Sequence, residues 1–329
     1  MEILILHPGG LGDIILSLPA IALIRNRCPS ARITLAGNLD HLAAVVSGYA
    51  ESFISLSTLP LHRLYAHDTL PEPEMRFWKS FDRIVSWTGS GDPEFIRHFG
   101  EIHPNVHIAS WRPKSGETRH VAQLFIDSLN IGIPSGTKPT PPHILLDENL
   151  HKEGKQWLIE RGWNDQDPLI ALHPGAGSRS KRWPLIRFIS LARHLALHKK
   201  SKLLIIEGPA EPAIGKQIAQ SFSATDAILA ESLSLNLLAA VIAQCEAFVG
   251  NDSGIAHLAA ALQVPSIVLF GPTTPQHWAP LGEHVVVLRN AHGCKACARR
   301  GDNHTCLENI TVEEVLTKLI SNFESQIRG

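Results

Sequence analysis

Short apolar runs recur along the chain, and each opens into a glycine- or serine-bearing turn followed by a longer segment with helical spacing. Ile3–Leu6 reads as a strand, His7–Gly12 as a tight loop and Asp13–Arg27 as a helix. Ile33–Ala36 and Arg83–Ser86 read as further strands, His120–Leu129 as a helix, and Gly132–Pro142 as a Pro/Gly-rich connector. The pattern restarts after Asp165-Gln166-Asp167-Pro168. Leu169–His173 is a strand, Pro174–Trp183 a small-residue loop, and Pro184 takes the first position of the next helix, which suits its fixed φ. Lys202–Ile206 is a strand running out into Glu207-Gly208-Pro209, and Ser234 caps a helix reaching about Cys245. Phe248–Gly271 holds a strand, the turn Gly250–Gly254, a helix and a second strand ending at Gly271-Pro272-Thr273. Thr311-Val312-Glu313-Glu314 is a capping-box signature for a terminal helix. Strands alternating with helices of this size predict α/β architecture with parallel, doubly wound sheets.

Length turns this into two halves. A chain of 329 residues exceeds one comfortable core, so two domains of about 150 residues follow, divided here at 1–155 and 156–329. A hydrophobic share of 44%, a charged share of 19% and a net charge of −1 describe an ordinary folded protein and argue against a nucleic-acid binder. The N-terminal stretch lacks a basic leader, and Pro8, Gly9, Gly10 and Asp13 interrupt it, so it does not read as a signal peptide. No window reaches the roughly 18 apolar residues of a spanning helix. Five cysteines, an odd number, fit a reducing compartment. The expectation is a cytoplasmic protein with at most peripheral membrane contact.

Three loops carry the candidate chemistry. In His7-Pro8-Gly9-Gly10-Leu11-Gly12-Asp13, glycines after a first strand let backbone amides approach a ligand at a helix start. The third glycine of a dinucleotide fingerprint would fall at Ile15, so this is not that motif. Asp13 is either a helix cap or a carboxylate able to act as a general base. The second loop, His173–Pro184, gathers hydroxyls, three cations including Lys181, and a helix start. It reads as a diphosphate cradle without Walker spacing, or as a solvated basic turn. The third, Asn251-Asp252-Ser253-Gly254, brings amides, a hydroxyl and a carboxylate to a helix mouth, with His257 roughly one turn on. At the carboxyl edge of a parallel sheet, such a turn binds polar ligands. Glu207 and Glu211 near a neighbouring strand end are candidates for a ribose hydroxyl or plain surface glutamates.

GGLGDIILSLPAIALIR, HVAQLFIDSLNIGIP, HPGAGSRSKRWP, FVGNDSGIAHLAAAL and FGPTTPQHWAP together resemble the lipopolysaccharide heptosyltransferase family, glycosyltransferase family 9, over almost the whole chain. The resemblance implies a GT-B fold of two facing Rossmann-like domains with parallel β-sheets, the acceptor mainly on the first and the donor on the second. It implies inverting transfer of a heptose from ADP-heptose to the inner core of lipopolysaccharide, with no metal or other cofactor required. It makes Asp13 the catalytic base and Lys181 the holder of the donor phosphates. Gly12, Ser178, Asp252, Ser253, Gly254 and His257 complete the donor contacts. The loop before Gly10 reads His7-Pro8-Gly9, where many members carry a basic or polar residue.

Several features stay open. Arg97, His98, Arg112, Lys114, Arg119 and His120 form a locally basic stretch in the first domain, suited to acceptor phosphates or carboxylates or simply to a solvated loop; Arg112, Lys114 and Arg119 are the acceptor candidates. Cys294, Cys297 and Cys306, with His292 and His304 nearby, could form a small structural zinc site or remain free thiols. The terminal helix is expected to pack back toward the first domain. Two other functions fit the architecture: a different GT-B sugar-nucleotide enzyme such as a UDP-sugar epimerase, and a noncatalytic nucleotide-binding protein.

Overall fold

The computed structural model describes the chain except residues 46, 67–68, 130–131, 133, 135, 199–200, 209–212, 224–225, 291–304 and 328–329. It divides into two compact units, Met1–Ile144 and Leu145–Gly329. The division falls before helix α7 (Glu148–Ile159) rather than at residue 155. Asp147 caps that helix, its Oδ1 accepting the Leu150 N–H at 2.9 Å. Gly154 then packs so tightly on Ala240 that a Cβ there would sit 2.5 Å from the Ala240 carbonyl carbon, which ties α7 to the second unit.

The first unit contains β1 (Glu2–Leu6), α1 (Leu11–Arg27), β2 (Arg32–Gly37), α2 (Leu39–Val45), β3 (Ser52–Ser55), α3 (Leu61–Leu64), α4 (Glu72–Lys79), β4 (Arg83–Ser86), α5 (Pro93–Ile102), β5 (Val106–Ile108) and α6 (Val121–Asp127). Its five strands are all parallel, in the order β3-β2-β1-β4-β5. Ile3, Leu4, Ile5 and Leu6 are buried without alternation, as a strand covered on both faces requires. One face carries an aromatic core. Trp78 and Phe95 meet Phe99 edge-on at 4.9 and 5.6 Å, a favoured geometry for ring pairs. Helix α5 is started by Asp92, whose Oδ1 accepts the Phe95 N–H, with Pro93 at the first helical position.

The second unit continues from α7 through β6 (Leu169–His173), α8 (Leu185–His198), β7 (Lys202–Glu207), α9 (Ile214–Ala219), β8 (Ala227–Glu231), α10 (Leu235–Ile242), β9 (Ala247–Asn251), α11 (Gly254–Ala261), β10 (Ser266–Phe270), α12 (Pro275–Trp278), β11 (Val285–Arg289) and α13 (Val312–Ile327). The six strands are parallel in the order β11-β10-β9-β6-β7-β8. Ile170, Leu172, Phe188, Leu191, Leu203 and Val249 share its core with Val315, Leu316 and Leu319 of α13. The described apolar side chains of the terminal helix thus enter the core of the second unit. Thr311 and Glu314 cap it reciprocally, as expected.

The two sheets share one plan. In each, the first strand lies beside the fourth of its own unit, and the chain leaves those two strands toward opposite edges. That is the switch point at which doubly wound sheets bind ligands. Both first strands also run into similar loops, His7-Pro8-Gly9-Gly10 and His173-Pro174-Gly175-Ala176. Among the described residues, no helix is long and apolar enough to cross a membrane.

Candidate active site

In the first unit the loop after β1 turns sharply into α1. Asp13 lies at the third helical position, and its Oδ2 accepts the Gly10 N–H at 2.9 Å. The carboxylate thus satisfies an amide the helix start leaves over. Gly9 lies directly against it: a Cβ at residue 9 would come 2.5 Å from Asp13 Cβ and 2.8 Å from Oδ2. Gly12 follows in the first turn, partly exposed. The structure shows the cap role expected of Asp13, with one carboxylate oxygen serving the turn.

The basic stretch is largely matched by its own carboxylates. Arg97 bonds to Glu94 and Glu101, and Arg119 to Glu117 and Asp127 at 2.7 and 2.8 Å. The Arg119 guanidinium holds the Glu117 carboxyl down to about 2. His120 caps α6, its Nδ1 accepting the Ala122 N–H. Arg112 and Lys114 are exposed, with the Arg112 guanidinium 4.8 Å above the Trp111 ring. Of the three acceptor candidates, Arg119 is therefore held in ion pairs within the unit, and Arg112 stacks on Trp111.

In the second unit, the loop after β6 and the turn after β9 flank the switch point and are joined by Asn251. Its Oδ1 accepts the Trp183 N–H at 2.9 Å, and its Nδ2 donates to the Pro174 carbonyl at 2.7 Å. One buried side chain thereby fixes both ends of the Pro174–Trp183 loop. Lys181, in a short 3₁₀ turn (Arg179–Lys181), places Nζ 2.8 Å from Asp252 Oδ2. Thr273, in the loop after β10, donates to the same oxygen at 2.5 Å. Ser253 caps α11 by accepting the Ala256 N–H, and its Oγ lies 3.1 Å from His173 Nδ1. Burial pushes the His173 imidazole down to about 4, so it is neutral at pH 7. Gly254 begins α11, and His257 is buried on its first turn. Ser178 is exposed, its hydroxyl 3.0 Å from that of Ser180.

The structure thus brings Lys181, Asp252 and Ser253 together within one unit, and gives roles to Asn251, Thr273 and His173, which the sequence places in these loops without assigning them one. Glu207 is engaged locally, its Oε2 accepting the Lys216 N–H at 2.8 Å near the start of α9. Glu211, Cys294 and Cys297 lie outside the described residues. Cys306 is buried beside the second core, and among the described residues no group of three or more His, Cys, Asp or Glu side chains could hold a metal.

Two doubly wound parallel-sheet units, each with its small-residue loops at the switch point, define an α/β protein of the GT-B class. The model of glycosyltransferase family 9 (heptosyltransferase) matches residues 118–308, and the chain belongs to that family; it is a glycosyltransferase. It is 31% identical over 353 residues to lipopolysaccharide heptosyltransferase 2 of Escherichia coli (strain K12), covering 97% of each chain. Lipooligosaccharide heptosyltransferase 2 of Haemophilus influenzae (strain Rd) is 36% identical over 181 residues, a match spanning 52% of this chain and 51% of that protein. The solved structure of E. coli ADP-heptose lps heptosyltransferase II superposes with a TM-score of 0.76 at 20% identity, covering 99% of each chain, a likeness of fold.

Proposed function

We propose that this chain transfers a heptose from ADP-heptose to the inner core of lipopolysaccharide, with inversion at the anomeric carbon. The observation that carries the reading is the 31% identity to E. coli lipopolysaccharide heptosyltransferase 2 along 97% of both chains. In this reading the acceptor hydroxyl oxygen attacks the anomeric carbon as Asp13 takes its proton, and the nucleoside diphosphate leaves from the opposite face. Charge then grows on the leaving phosphates. The start of α11 and the Lys181 ammonium answer it electrostatically, with no metal required. Ser178 and Gly12 join the donor contacts, while Arg112 and Lys114 supply exposed cations for acceptor phosphates or carboxylates. A lipid-anchored acceptor puts the reaction at the cytoplasmic face of the inner membrane, which the protein touches peripherally.

The test is a transfer assay with purified full-length protein, an inner-core acceptor lacking the sugar, and a panel of ADP- and UDP-sugars. The acceptor gains the mass of one heptose from ADP-heptose alone, with ADP released. Transfer from a UDP-sugar instead, or no transfer from a donor that binds, overturns the reading.

A further inference from the structure

His7 is fully buried at the end of β1, and its surroundings are aromatic. Its ring centroid lies 5.4, 6.0 and 5.4 Å from those of Trp87, Trp111 and Phe125. Its Nδ1 accepts the Gly9 N–H at 3.1 Å, which puts the ring proton on Nε2. Among the described residues, Nε2 is buried there with no hydrogen-bond partner. A phenyl ring would fill the same aromatic box without that cost, because an unmatched buried N–H is unfavourable. Packing therefore does not account for an imidazole here. What an imidazole does that a phenyl ring cannot is hold the Gly9 amide.

That amide belongs to the residue lying against Asp13. The backbone of Gly9 occupies the space beside the Asp13 side chain, and the next amide, Gly10 N–H, is the one Asp13 Oδ2 accepts. Successive amides are thus shared out, Gly9 N–H to His7 and Gly10 N–H to Asp13, with Pro8 stiffening the step from His7 to Gly9.

We propose that His7 is a positioning residue for Asp13: by holding Gly9 N–H from inside the aromatic box, it sets the turn on which the carboxylate sits. The role of Asp13 as base is taken from the function proposed above.

His7→Phe and His7→Asn, made in the full-length protein, separate positioning from packing. Phenylalanine fills the box but cannot accept the amide; asparagine carries Oδ1 near the place of Nδ1 but leaves a cavity. The expected order of melting temperature is Phe above Asn, and the expected order of turnover is the reverse. His7→Phe lowers kcat by at least about tenfold, the scale of a small displacement of a catalytic group, with the donor KM within about twofold. His7→Asn keeps kcat within about threefold of the unaltered protein. Turnover that follows melting temperature, or a His7→Phe variant that turns over normally, overturns the proposal. A second readout does not depend on activity. In protein labelled with ¹⁵N-glycine, hydrogen exchange at Gly9 and Gly10 quickens at least about tenfold in His7→Phe and not in His7→Asn. If the unaltered protein transfers no sugar, the function reading falls, while unchanged exchange in His7→Phe overturns the role of His7 itself.

Discussion

Lys181 Nζ lies 2.8 Å from Asp252 Oδ2, on a carboxylate whose side chain is only 6% exposed and which Thr273 also contacts. The ammonium proposed for the donor phosphates is therefore neutralised before any donor arrives, and a diphosphate must share it with Asp252. Lys181→Ala removes a phosphate contact and also strands a buried carboxylate. Donor Kd should rise at least about tenfold, near 1.4 kcal/mol. Unfolding free energy should fall by about 1–3 kcal/mol, the cost of leaving a buried polar group unmatched. Adding Asp252→Asn should recover stability without recovering the donor. Calorimetric titration and urea unfolding read the two effects separately, and a double variant that regained donor affinity would contradict the assignment of Lys181.

Asn251→Ala tests the joint between the two donor loops. It leaves the Trp183 N–H and the Pro174 carbonyl without their side-chain partner in a buried place. A loss of about 2–4 kcal/mol in urea unfolding is expected. Asn251→Asp should fare no better, because its carboxylate would face the Pro174 carbonyl where Nδ2 now donates. A variant of near-native stability would mean that water replaces the amide.

What the sequence made legible follows from range. The loops at β1, β6 and β9 stand out because apolar runs end there in glycine, proline and capping residues, all local signals. Ser234 and the Thr311/Glu314 pair act as read, for the same reason. Strands β3 and β5 escape notice because Ser52–Ser55 and Val106–Ile108 are short and not fully buried, so no apolar run marks them. The Asp92-Pro93 and Asp147 starts of α5 and α7 carry the same kind of local capping signal. Asn251 and Thr273 could not be recognised from spacing, since their partners lie 68 to 77 and 21 residues away. In the basic stretch, Glu94, Glu101, Glu117 and Asp127 are near in sequence, but the fold is what shows that they face Arg97 and Arg119.

Two buried histidines give stability a pH dependence. Burial holds His7 down to about 3 and His173 to about 4, against an ordinary value of 6.5. Between those values and 6.5 the unfolded chain binds protons that the folded chain refuses, so stability is full above about pH 6.5 and falls as pH drops. Each histidine contributes about 1.4 kcal/mol per pH unit in that window. His41, lowered by burial, adds in the same direction, while Glu246, raised by burial, offsets part of it. Urea unfolding at pH 5 should therefore give a free energy about 3–4 kcal/mol below that at pH 7, and His7→Phe should remove close to half of the slope. A flat profile would mean that the imidazoles protonate in place.

Asp13→Asn keeps an oxygen for the Gly10 amide but cannot take a proton. Melting temperature and donor affinity should stay close to those of the unaltered protein, while kcat falls by about 10²–10⁴, the usual worth of a general base. Steady-state kinetics with the native acceptor decide it, and turnover near the original value would remove Asp13 from the mechanism.

Gly9→Ala and Gly10→Ala differ by one position and should differ sharply in effect. A Cβ on Gly9 meets Asp13 Cβ at 2.5 Å, Oδ2 at 2.8 Å and His7 Cε1 at 2.8 Å, all inside normal contact. None of these can yield without moving the carboxylate or the buried imidazole. On Gly10 the nearest of those atoms, Asp13 Oδ2, is 3.9 Å away, and φ is −76°, which alanine adopts readily. Gly9→Ala should therefore lower kcat by about 10²-fold through displacement of Asp13, and Gly10→Ala by less than about threefold. Donor affinity should change little in either, because of the donor contacts proposed above only Gly12 belongs to the first unit. Equal losses in the two variants would mean that loop flexibility, and not the seating of Asp13 against Gly9, controls turnover.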